Sequence, residues 1–310
     1  MIGLKKLTKV VSMSDGHEIF VRIYEPSSNP IGNFHILHGM SEHGGRYDAF
    51  AMNLCEQGYI VIVHDHRGHG KTAELNGRLG FFADQDGFER VVQDVYELVQ
   101  NFRLYSENET VLFGHSMGSF IARRYIQLYN DIDKCILCGT GNTTFAHRIG
   151  NTLARTLCLV QGPTTLSSIM SELSFGSFNK NIANVKTAFD WLCTNEEEVE
   201  TYIKDPNCGF VPTNRFFVDL TDGLLLINQQ SELENIRKNL PILLISGSED
   251  PVGNRGAGVF KVANQYKKIG LSNVVVYLFE GMRHEILKEK NKEHVFHVVS
   301  RWLKNEGKRN

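Results

Sequence analysis

The sequence VLFGHSMGSF, residues 111–120, places a serine between two glycines immediately after a short apolar run. Gly114, Ser116 and Gly118 fit the pattern G-x-S-x-G, in which a serine stands on a sharp turn between a strand and a helix. Small residues are needed there because the strand and the helix approach closely and the serine backbone is strained. The stretch therefore predicts a nucleophilic serine, and the alternative is an incidental serine in a glycine-rich turn.

A serine hydroxyl attacks only if a base takes its proton, and the base needs a third group that orients it. Both candidates follow apolar runs further along the chain, Asp250 in SGSEDPVG and His284 in EGMRHEIL. The gap from 250 to 284 is 34 residues, enough for one helix and one strand, so both would reach the same sheet edge as Ser116. We predict Asp250 as the orienting acid, with Glu249 as its rival and Glu285 as a substitute in some other geometry. We predict His284 as the base, and the alternative is a loop histidine that bonds to the backbone.

An acyl-enzyme mechanism also needs donors for the developing oxyanion, since removing one donor typically costs about 10²–10³ in rate. In LHGM, residues 37–40, His38 and Gly39 end another apolar run. A glycine lets the backbone turn, so that the amide of Met40 can point at the oxyanion, and Met117 offers a second amide from a helix N-terminus. Because only backbone groups are used, the two methionine side chains are free to line an apolar pocket.

Apolar runs of strand length alternate with helical patterns along most of the chain. Two β-rich runs around Asp15-Gly16 predict an antiparallel hairpin within residues 8–25. Continuous apolar runs then predict strands covered on both faces, at residues 34–39, 59–65, 110–115, 133–139, 241–247 and 273–281. The alternation of strands with amphipathic helices predicts an α/β protein with a mostly parallel central sheet that opens with an antiparallel hairpin.

The alternation lapses between residues 142 and 232, which is far too long for a connecting loop. Because the pattern resumes at residue 241, we predict a core formed by residues 1–141 and 233–310. Residues 142–232 are predicted to form a helical cap subdomain inserted over the strand ends. The length of 310 residues is near the upper limit for one hydrophobic core and agrees with this division.

Composition and charge narrow the possible partners. A formal net charge of −2 provides no global basic field for nucleic acid or an anionic membrane. Six cysteines, mostly within apolar runs, are typical of reduced thiols in an intracellular protein, and Cys135 and Cys138 are predicted to face opposite sides of one strand. No segment reaches about 18 consecutive apolar residues and the N-terminus lacks a signal-peptide core. We therefore predict a cytoplasmic protein with at most superficial membrane contact and no nucleic-acid partner; the oligomeric state stays open.

The histidine-rich stretch VHDHRGHG, residues 63–70, has the appearance of a run of metal ligands. His64, Asp65, His66 and His69 lie close together, but no second cluster of comparable spacing supplies the remaining ligands. We predict structural hydrogen bonds made by Arg67 and these histidines, and no metal site. Acyl transfer through a serine requires no cofactor.

Five stretches in this order, HGMSEHGGRY, DHRGHGKT, GHSMGS, SGSEDPVG and GMRHEIL, resemble the α/β-hydrolase family of monoacylglycerol lipases and lysophospholipases, which some group with serine aminopeptidases. The resemblance covers residues 30–141 and 233–305. It implies an α/β-hydrolase fold with Ser116 as nucleophile, His284 as base, Asp250 as orienting acid, and the amides of Met40 and Met117 as oxyanion hole. Met40 stands where family members often carry a smaller side chain, which would reshape the acyl pocket.

The leading functional prediction is a serine carboxylic-ester hydrolase that acts through an acyl-enzyme on a single-chain acyl lipid, either a monoacylglycerol or a lysophospholipid. The apolar residues of the predicted cap favour this function, since a long acyl chain needs an apolar tunnel. The alternatives are a short-chain carboxylesterase and an aminopeptidase or amidase, in which the acids of NEEEVE, residues 195–200, would hold a substrate amine. Acids at a helix start are the commoner arrangement. A non-catalytic binding module would have no reason to keep all three triad residue types.

Overall fold

The computed structural model describes residues 5–103, 108–143 and 145–306. Within these residues an eight-stranded sheet has the order β1-β2-β4-β3-β5-β6-β7-β8. Its strands are β1 (Lys5–Ser12), β2 (Glu18–Glu25), β3 (Gly32–Leu37), β4 (Tyr59–His64), β5 (Glu109–His115), β6 (Lys134–Cys138), β7 (Ile242–Gly247) and β8 (Val274–Phe279). β2 pairs antiparallel with β1 and β4, and all other pairs are parallel. The predicted α/β class with a mostly parallel sheet is therefore confirmed.

The N-terminal hairpin forms as the turn signal predicts. Gly16 has a φ of +82°, a conformation that glycine adopts without steric cost. Its N–H donates to the carbonyl of Met13 at 2.8 Å, and the N–H of Met13 donates to the carbonyl of His17 at 2.8 Å. The turn thus sets the register of β1 against β2.

Helices cover both faces of the sheet. They are α1 (Asp48–Glu56), α2 (Gly70–Asn76), α3 (Gly87–Arg103), α4 (Met117–Leu128), α5 (Phe145–Gln161), α6 (Ser168–Phe175), α7 (Glu196–Lys204), α8 (Asn214–Leu226), α9 (Gln230–Glu234), α10 (Ala257–Lys268) and α11 (Lys292–Glu306). Short 3₁₀ turns lie at Gly44–Tyr47, Phe178–Asn181 and Asp190–Leu192. The apolar sides of α3, α4 and α10 form a larger core on one face, and those of α1 and α11 form a second core on the other.

Successive side chains along the central strands point alternately into these two cores. Cys135 belongs to the larger core and Cys138 to the second one, so the pair faces opposite sides of β6, as its spacing predicts. Burial raises the pKa of the Cys138 thiol well above its usual value. β8 departs from the expectation of strands covered on both faces, because Val275 and Tyr277 are exposed. As the edge strand, β8 leaves part of one face to solvent.

The stretch between β6 and β7 contains α5 to α9 and, within the described residues, no strand of the sheet. Phe216 and Phe217 of α8 are buried in the larger core beside α3 and α4. A second part of this stretch has a small core of its own, which includes Trp191, Val199 and Tyr202. The insertion thus combines helices that join the main core with a separate apolar cluster. The limits of the cap, 142–232, stay a prediction.

Candidate active site

Ser116 lies on the turn between β5 and α4. Its φ of 53° and ψ of −119° are unusual for a residue with a side chain, and such strain persists only where the surroundings enforce it. The N–H of Ser116 donates to the carbonyl of Cys138 at 2.9 Å, and its own carbonyl accepts from the N–H of Ser119 at 2.8 Å. These bonds hold the turn from both sides and place the hydroxyl at the carboxyl edge of the sheet.

The two glycines of the motif allow close backbone contacts. A Cβ on Gly114 would lie 2.2 Å from the carbonyl oxygen of Gly118. A Cβ on Gly118 would lie 2.2 Å from the carbonyl oxygen of Leu37, at the end of β3. Because backbone atoms cannot give way cheaply, only glycine fits at either position. The start of α4 is therefore packed directly against β5 and β3.

Asp250 and His284 follow β7 and β8, and the structure brings them together. Oδ1 of Asp250 lies 2.9 Å from Nδ1 of His284, and both side chains are buried. Ser246 Oγ donates to Oδ2 of Asp250 at 2.9 Å, and the N–H of Val252 donates to Oδ1 at 2.9 Å. The carboxylate is therefore fixed, and it orients the imidazole so that Nε2 remains to exchange a proton.

The charge state of Asp250 is determined by these neighbours. Burial acts to raise the pKa of the carboxyl, but the charge and hydrogen bond of His284, with the bonds from Ser246 and Val252, outweigh it and lower the pKa. The rival acid Glu249 has a side chain that is 47% exposed and pairs with Arg255 at 3.1 Å. Glu249 therefore does not contact the base.

His284 lies beside the turn that carries Ser116. A Cβ on Gly139 would be 2.9 Å from Cε1 of His284, and Gly139 directly follows the residue whose carbonyl accepts from Ser116. On its other side the ring packs against Trp191, with ring centroids 5.2 Å apart. The N–H of His284 also donates to the carbonyl of Trp191 at 3.5 Å. The base is thus held between the sheet edge and the segment inserted between β6 and β7.

The predicted oxyanion donors also converge on Ser116. A Cβ on Gly39 would lie 3.2 Å from Cβ of Ser116, so the loop that carries Met40 contacts the nucleophile turn. Over the described ranges, hydrogen bonds account for the N–H of Gly39 and Ser119, but none involves the N–H of Met40 or Met117. Both methionine side chains pack on the larger core. Two amides without a protein acceptor next to a serine suit an oxyanion.

His38 shapes this loop rather than facing the substrate. Its Nδ1 lies 2.7 Å from the carbonyl oxygen of Gly39, and its Nε2 accepts from the N–H of His66 at 2.9 Å. Burial lowers the pKa of His38 to about 3, which keeps the ring neutral. The neutral tautomer with a proton on Nδ1 satisfies both contacts.

The histidine-rich stretch forms a structural network, as predicted. Asp65 accepts from Arg22 Nη1 at 2.6 Å and from the N–H groups of Gly44 and Lys71 at 2.8 and 2.9 Å. His64 Nε2 lies 3.0 Å from His66 Nδ1. Burial lowers the pKa of His64 to about 4. The carboxylate of Asp65 is therefore used by hydrogen bonds that hold the loop after β4.

A different group, not anticipated from the sequence, has the donor types of a metal site. Ligand atoms of His43, Asp205 and Cys208 lie within 4.8 Å of one another. However, His43 Nδ1 accepts from the N–H of Gly45 at 3.2 Å, so its Nε2 carries the proton that faces Asp205 Oδ2 at 2.9 Å. In the folded chain, His43 and Asp205 of this group are therefore linked by a hydrogen bond. No local spacing could reveal it, because His43 and Asp205 are 162 residues apart.

The acids of residues 195–200 begin α7 and have lysine partners. Glu196 pairs with Lys186 at 2.6 Å and Glu200 with Lys204 at 2.8 Å. Glu198 lies 3.3 Å from Lys288. Glu196 and Glu198 lie in the first turn of the helix, where negative charge is favoured, and all three carboxylates are paired with lysines rather than directed at the site around Ser116.

An apolar surface lies on α5 and the loop that follows α5. On α5, Leu159 is 88% exposed and Val160 is 78% exposed; further along the chain, Leu166 in the loop after α5 and Ile169 and Leu173 on α6 are also exposed. Large exposed apolar side chains that lie close together indicate a surface with a function. In the described part of the chain, no helix combines the length and apolar character needed to cross a bilayer.

The chain is similar to known proteins over most of its length. A family model described as serine aminopeptidase, S33, matches residues 28–291. The chain is 28% identical over 307 residues to the monoglyceride lipase of Homo sapiens, covering 94% of this chain and 88% of that protein. It is 24% identical over 301 residues to the monoacylglycerol lipase of Mycolicibacterium smegmatis, covering 93% of each. A thermostable carboxyl esterase from Bacillus coagulans, solved with glycerol, superimposes with a TM-score of 0.90 at 28% identity, covering 98% of this chain and 99% of that one.

Proposed function

The chain belongs to the serine aminopeptidase S33 family, and from that premise we propose that it hydrolyses the ester bond of monoacylglycerols through an acyl-enzyme. The observation that carries the proposal is the buried Asp250–His284 pair beside a serine on a strained turn. Relatives that match nearly the whole chain are named as lipases of this substrate class. The chemistry is that of a carboxylic-ester hydrolase.

In the first half of the reaction Ser116 acts as the nucleophile. Its Oγ attacks the ester carbonyl carbon while its proton passes to Nε2 of His284. The carboxylate of Asp250, 2.9 Å from Nδ1, stabilises the imidazolium that forms. The carbonyl oxygen becomes an oxyanion and accepts from the N–H groups of Met40 and Met117. The carbon–oxygen bond to glycerol then breaks, and His284 returns its proton to the departing alkoxide.

In the second half a water molecule replaces glycerol. His284 takes a proton from the water, and the resulting hydroxide attacks the acyl carbon on Ser116. The same two amides stabilise the second oxyanion. The bond to Ser116 Oγ breaks, His284 gives the proton to the serine, and a fatty acid leaves. Every proton is thus carried by one side chain, and the proposed reaction requires no cofactor.

We propose that the segment between β6 and β7, the cap of residues 142–232, supplies the apolar surface for the acyl chain. Trp191, which packs on His284, stacks on Phe175 with centroids 5.6 Å apart and meets Phe178 edge-on at 4.9 Å. This aromatic group is adjacent to the reacting atoms, where a long acyl chain would be shielded from water. The side chains of Met40 and Met117 pack on the larger core.

An aminopeptidase activity lacks comparable support. Among the acids that would hold a substrate amine, Glu196 and Glu200 on α7 pair with lysines. The similar proteins described above are named as lipases and an esterase. Ester hydrolysis therefore accounts for both the site and the relatives.

We further propose a cytoplasmic enzyme that contacts lipid surfaces superficially. All six cysteines are free thiols, which favours a reducing compartment. The exposed apolar side chains of Leu159 and Val160 would enter only the interfacial layer of a lipid aggregate. Contact of this kind would give the active site access to single-chain lipids without a membrane-spanning element.

The experiment that tests the function compares kcat/KM on four substrates: a long-chain monoacylglycerol, a lysophospholipid, a short-chain ester and an aminoacyl amide. Ser116→Ala is the blank, and Ser300→Ala, whose hydroxyl bonds the carbonyl of Phe296 on α11, is the matched serine control. We expect the monoacylglycerol to be preferred, with turnover lost only in Ser116→Ala. Preference for the short ester or the amide would refute the substrate class, and turnover by Ser116→Ala would refute the mechanism.

A further inference from the structure

A group of buried polar side chains lies directly behind the loop that carries Met40. We call it the inner polar cluster: Glu42, Arg46, Tyr47, His115 and Glu285. Glu42 is 3% exposed and Glu285 is 6% exposed, and the side chain of Arg46 is 8% exposed. Burying several charges costs more than it returns unless each one is paired and hydrogen-bonded. The cluster therefore needs an explanation beyond stability.

Glu42 lies at the centre of the inner polar cluster. Its Oε1 accepts from the N–H of Gly39 at 2.6 Å and from the Tyr47 hydroxyl at 2.8 Å. Its Oε2 accepts from Arg46 at 2.7 Å. Burial acts to raise the pKa of Glu42, but Arg46 and His115 outweigh it and hold the pKa well below the usual range. The carboxylate is thus charged and fully engaged.

His115 connects Glu42 to the base. One ring nitrogen, Nδ1, lies 2.8 Å from the Tyr47 hydroxyl and 3.3 Å from Oε1 of Glu42. The other, Nε2, lies 3.3 Å from the carbonyl oxygen of His284. Burial acts to lower the pKa of His115, but the hydrogen bond and the charge of Glu42 outweigh it and raise the pKa.

Arg46 completes the connection on the same side. It binds the carboxylate of Glu285 with two nitrogens, one of them at 2.7 Å from Oε2, while it also binds Glu42. Glu285 is the residue after His284. The cluster therefore bonds to the residue before Met40 and to the carbonyl of His284, and it includes the residue before Ser116 and the residue after His284. Three separate segments of the site converge on one set of side chains.

The contact with Gly39 has a direct geometric consequence. A Cβ on Gly39 would lie 2.7 Å from Oε1 of Glu42, 3.2 Å from Cβ of Ser116 and 3.4 Å from Nδ1 of His115. A side chain at position 39 would therefore push against the Glu42 carboxylate, and glycine, which avoids this, does not restrict its own backbone dihedrals. Each of the two peptides that flank Gly39 is held by one side chain, the first by the bond from the Gly39 N–H to Glu42 and the second by the contact of the Gly39 carbonyl with His38 Nδ1. Without the bond to Glu42, the chain could rotate about Gly39 and turn the Met40 N–H away from the oxyanion.

We propose that Glu42 is a positioning residue for the transition state: by holding the N–H of Gly39 it fixes the peptide before this glycine, while His38 holds the Gly39 carbonyl, so that both backbone dihedrals of Gly39 are set and the Met40 amide is presented to the oxyanion. The inference rests on the proposed function only in that an oxyanion forms at Ser116. It makes no demand on the alcohol group or acyl length of the ester.

The test measures kcat and KM on a soluble chromogenic ester whose turnover by the wild type is first shown to vanish in Ser116→Ala. This separates the outcome from that of the substrate panel, which can fail independently. The variants are Glu42→Gln, which keeps the side-chain shape, and Glu42→Ala. The matched control is Asp94→Asn on α3, because Asp94 is also buried and is paired with Arg67 and Arg90 but lies outside the site.

We expect Glu42→Gln to lower kcat about 10-fold and Glu42→Ala about 10²-fold, with KM changed less than about threefold, because an oxyanion donor is misplaced. Asp94→Asn should keep kcat once the folded fraction is equalised. Inhibition by a trifluoromethyl ketone, which forms an oxyanion on the serine, should weaken in proportion to kcat/KM. Binding of an ether analogue with no electrophilic carbon should stay unchanged.

A purely structural role for Glu42 predicts a different pattern. In that case the ether analogue and the trifluoromethyl ketone would weaken equally, or Asp94→Asn would lose as much kcat as Glu42→Gln. Either result would overturn the proposal. If Glu42→Ala does not fold, Glu42→Gln alone still distinguishes the two cases, because the comparison of the two inhibitors needs only one folded variant.

Discussion

Replacing Gly139 with alanine perturbs the base directly without replacing a reacting group. Gly139 follows β6 with a φ of +59°. A methyl group there would lie 2.9 Å from Cε1 and 3.1 Å from Nδ1 of His284. Non-bonded carbon atoms prefer about 3.5–4.0 Å, so the ring of His284 would have to move by roughly 0.6 Å or more.

The size of the effect can be worked out from that displacement. His284 is held by Asp250 at 2.9 Å and by packing on Trp191, so movement of the ring disturbs the bond that orients it. A misplacement of about 1 Å in a catalytic group can cost about 10²-fold in rate. Because the expected displacement is somewhat smaller than about 1 Å, we expect kcat of Gly139→Ala to fall about 10- to 100-fold, with KM little changed.

The matched control is Gly77→Ala at the end of α2. Gly77 has a φ of +68°, and a Cβ there meets no heavy atom within 4 Å. Both variants carry the left-handed strain of about 1 kcal/mol, which lowers Tm by about 2 °C in a chain of this size. Only Gly139→Ala meets the base. Equal loss of kcat in both variants, or wild-type kcat in Gly139→Ala, would refute the placement of His284.

Three further predictions concern the orienting acid, acid stability and the apolar surface. Asp250→Asn should lower kcat by about 10⁴-fold in steady-state ester hydrolysis, because the amide favours the wrong imidazole tautomer. Burial lowers the pKa of His35 from 6.5 to about 3, so its stabilising effect is complete above pH 6.5 and is lost as the pH falls from there toward 3. His35→Leu should reduce the pH slope of the unfolding free energy between pH 6 and 5 by about 1.4 kcal/mol per pH unit, measured by urea titration. The double variant Leu159→Ser with Val160→Ser should bind phospholipid vesicles more weakly and keep its kcat on a soluble ester.

Each of these has a clear contrary outcome. An Asp250→Asn enzyme with more than about a tenth of wild-type kcat would show that the carboxylate does not set the tautomer. An unchanged pH slope in His35→Leu would mean that His35 titrates alike in the folded and unfolded chain. Equal vesicle binding by the serine double variant would place lipid contact on another surface.

Much of the fold can be predicted from local patterns in the sequence. The ends of the apolar runs lie within two residues of the ends of strands β3 to β8, because burial on both faces imposes a continuous apolar run on central strands. The edge strand β8 has an equally apolar run, yet it is partly exposed. A local pattern cannot distinguish the two cases, since the exposure of a strand depends on its neighbours in the sheet and on the helices that cover it. Likewise nothing in the α8 sequence shows that Phe216 and Phe217 join the main core.

In the candidate site, too, some residues could be proposed from local sequence and others only from the tertiary structure. Ser116, Asp250 and His284 could be proposed from the sequence because each follows a strand within five residues, and the carboxyl ends of parallel strands meet at one edge. The inner polar cluster could not, because Arg46 and Glu285 are 239 residues apart in the chain. A charged side chain in a loop is usually solvated, and only the tertiary structure shows which ones are buried and paired.

The end of β3 shows why buried polar groups concentrate at this site. The carbonyl of Gly39 faces His38 at 2.7 Å, and its N–H faces Glu42 at 2.6 Å, so side chains rather than the sheet satisfy both groups. The His38 ring must be neutral, because its Nε2 accepts from the N–H of His66, and a proton on Nε2 would oppose that donor. The Glu42 carboxylate must be charged to bind Arg46.

Both protonation states hold at neutral pH, since burial lowers the pKa of His38 to about 3, and Arg46 and His115 lower the pKa of Glu42. Apolar packing could not fix the orientation of a glycine peptide, and hydrogen bonds from two fixed side chains can. The cost of burying these groups is therefore concentrated where the geometry of the Met40 amide is determined.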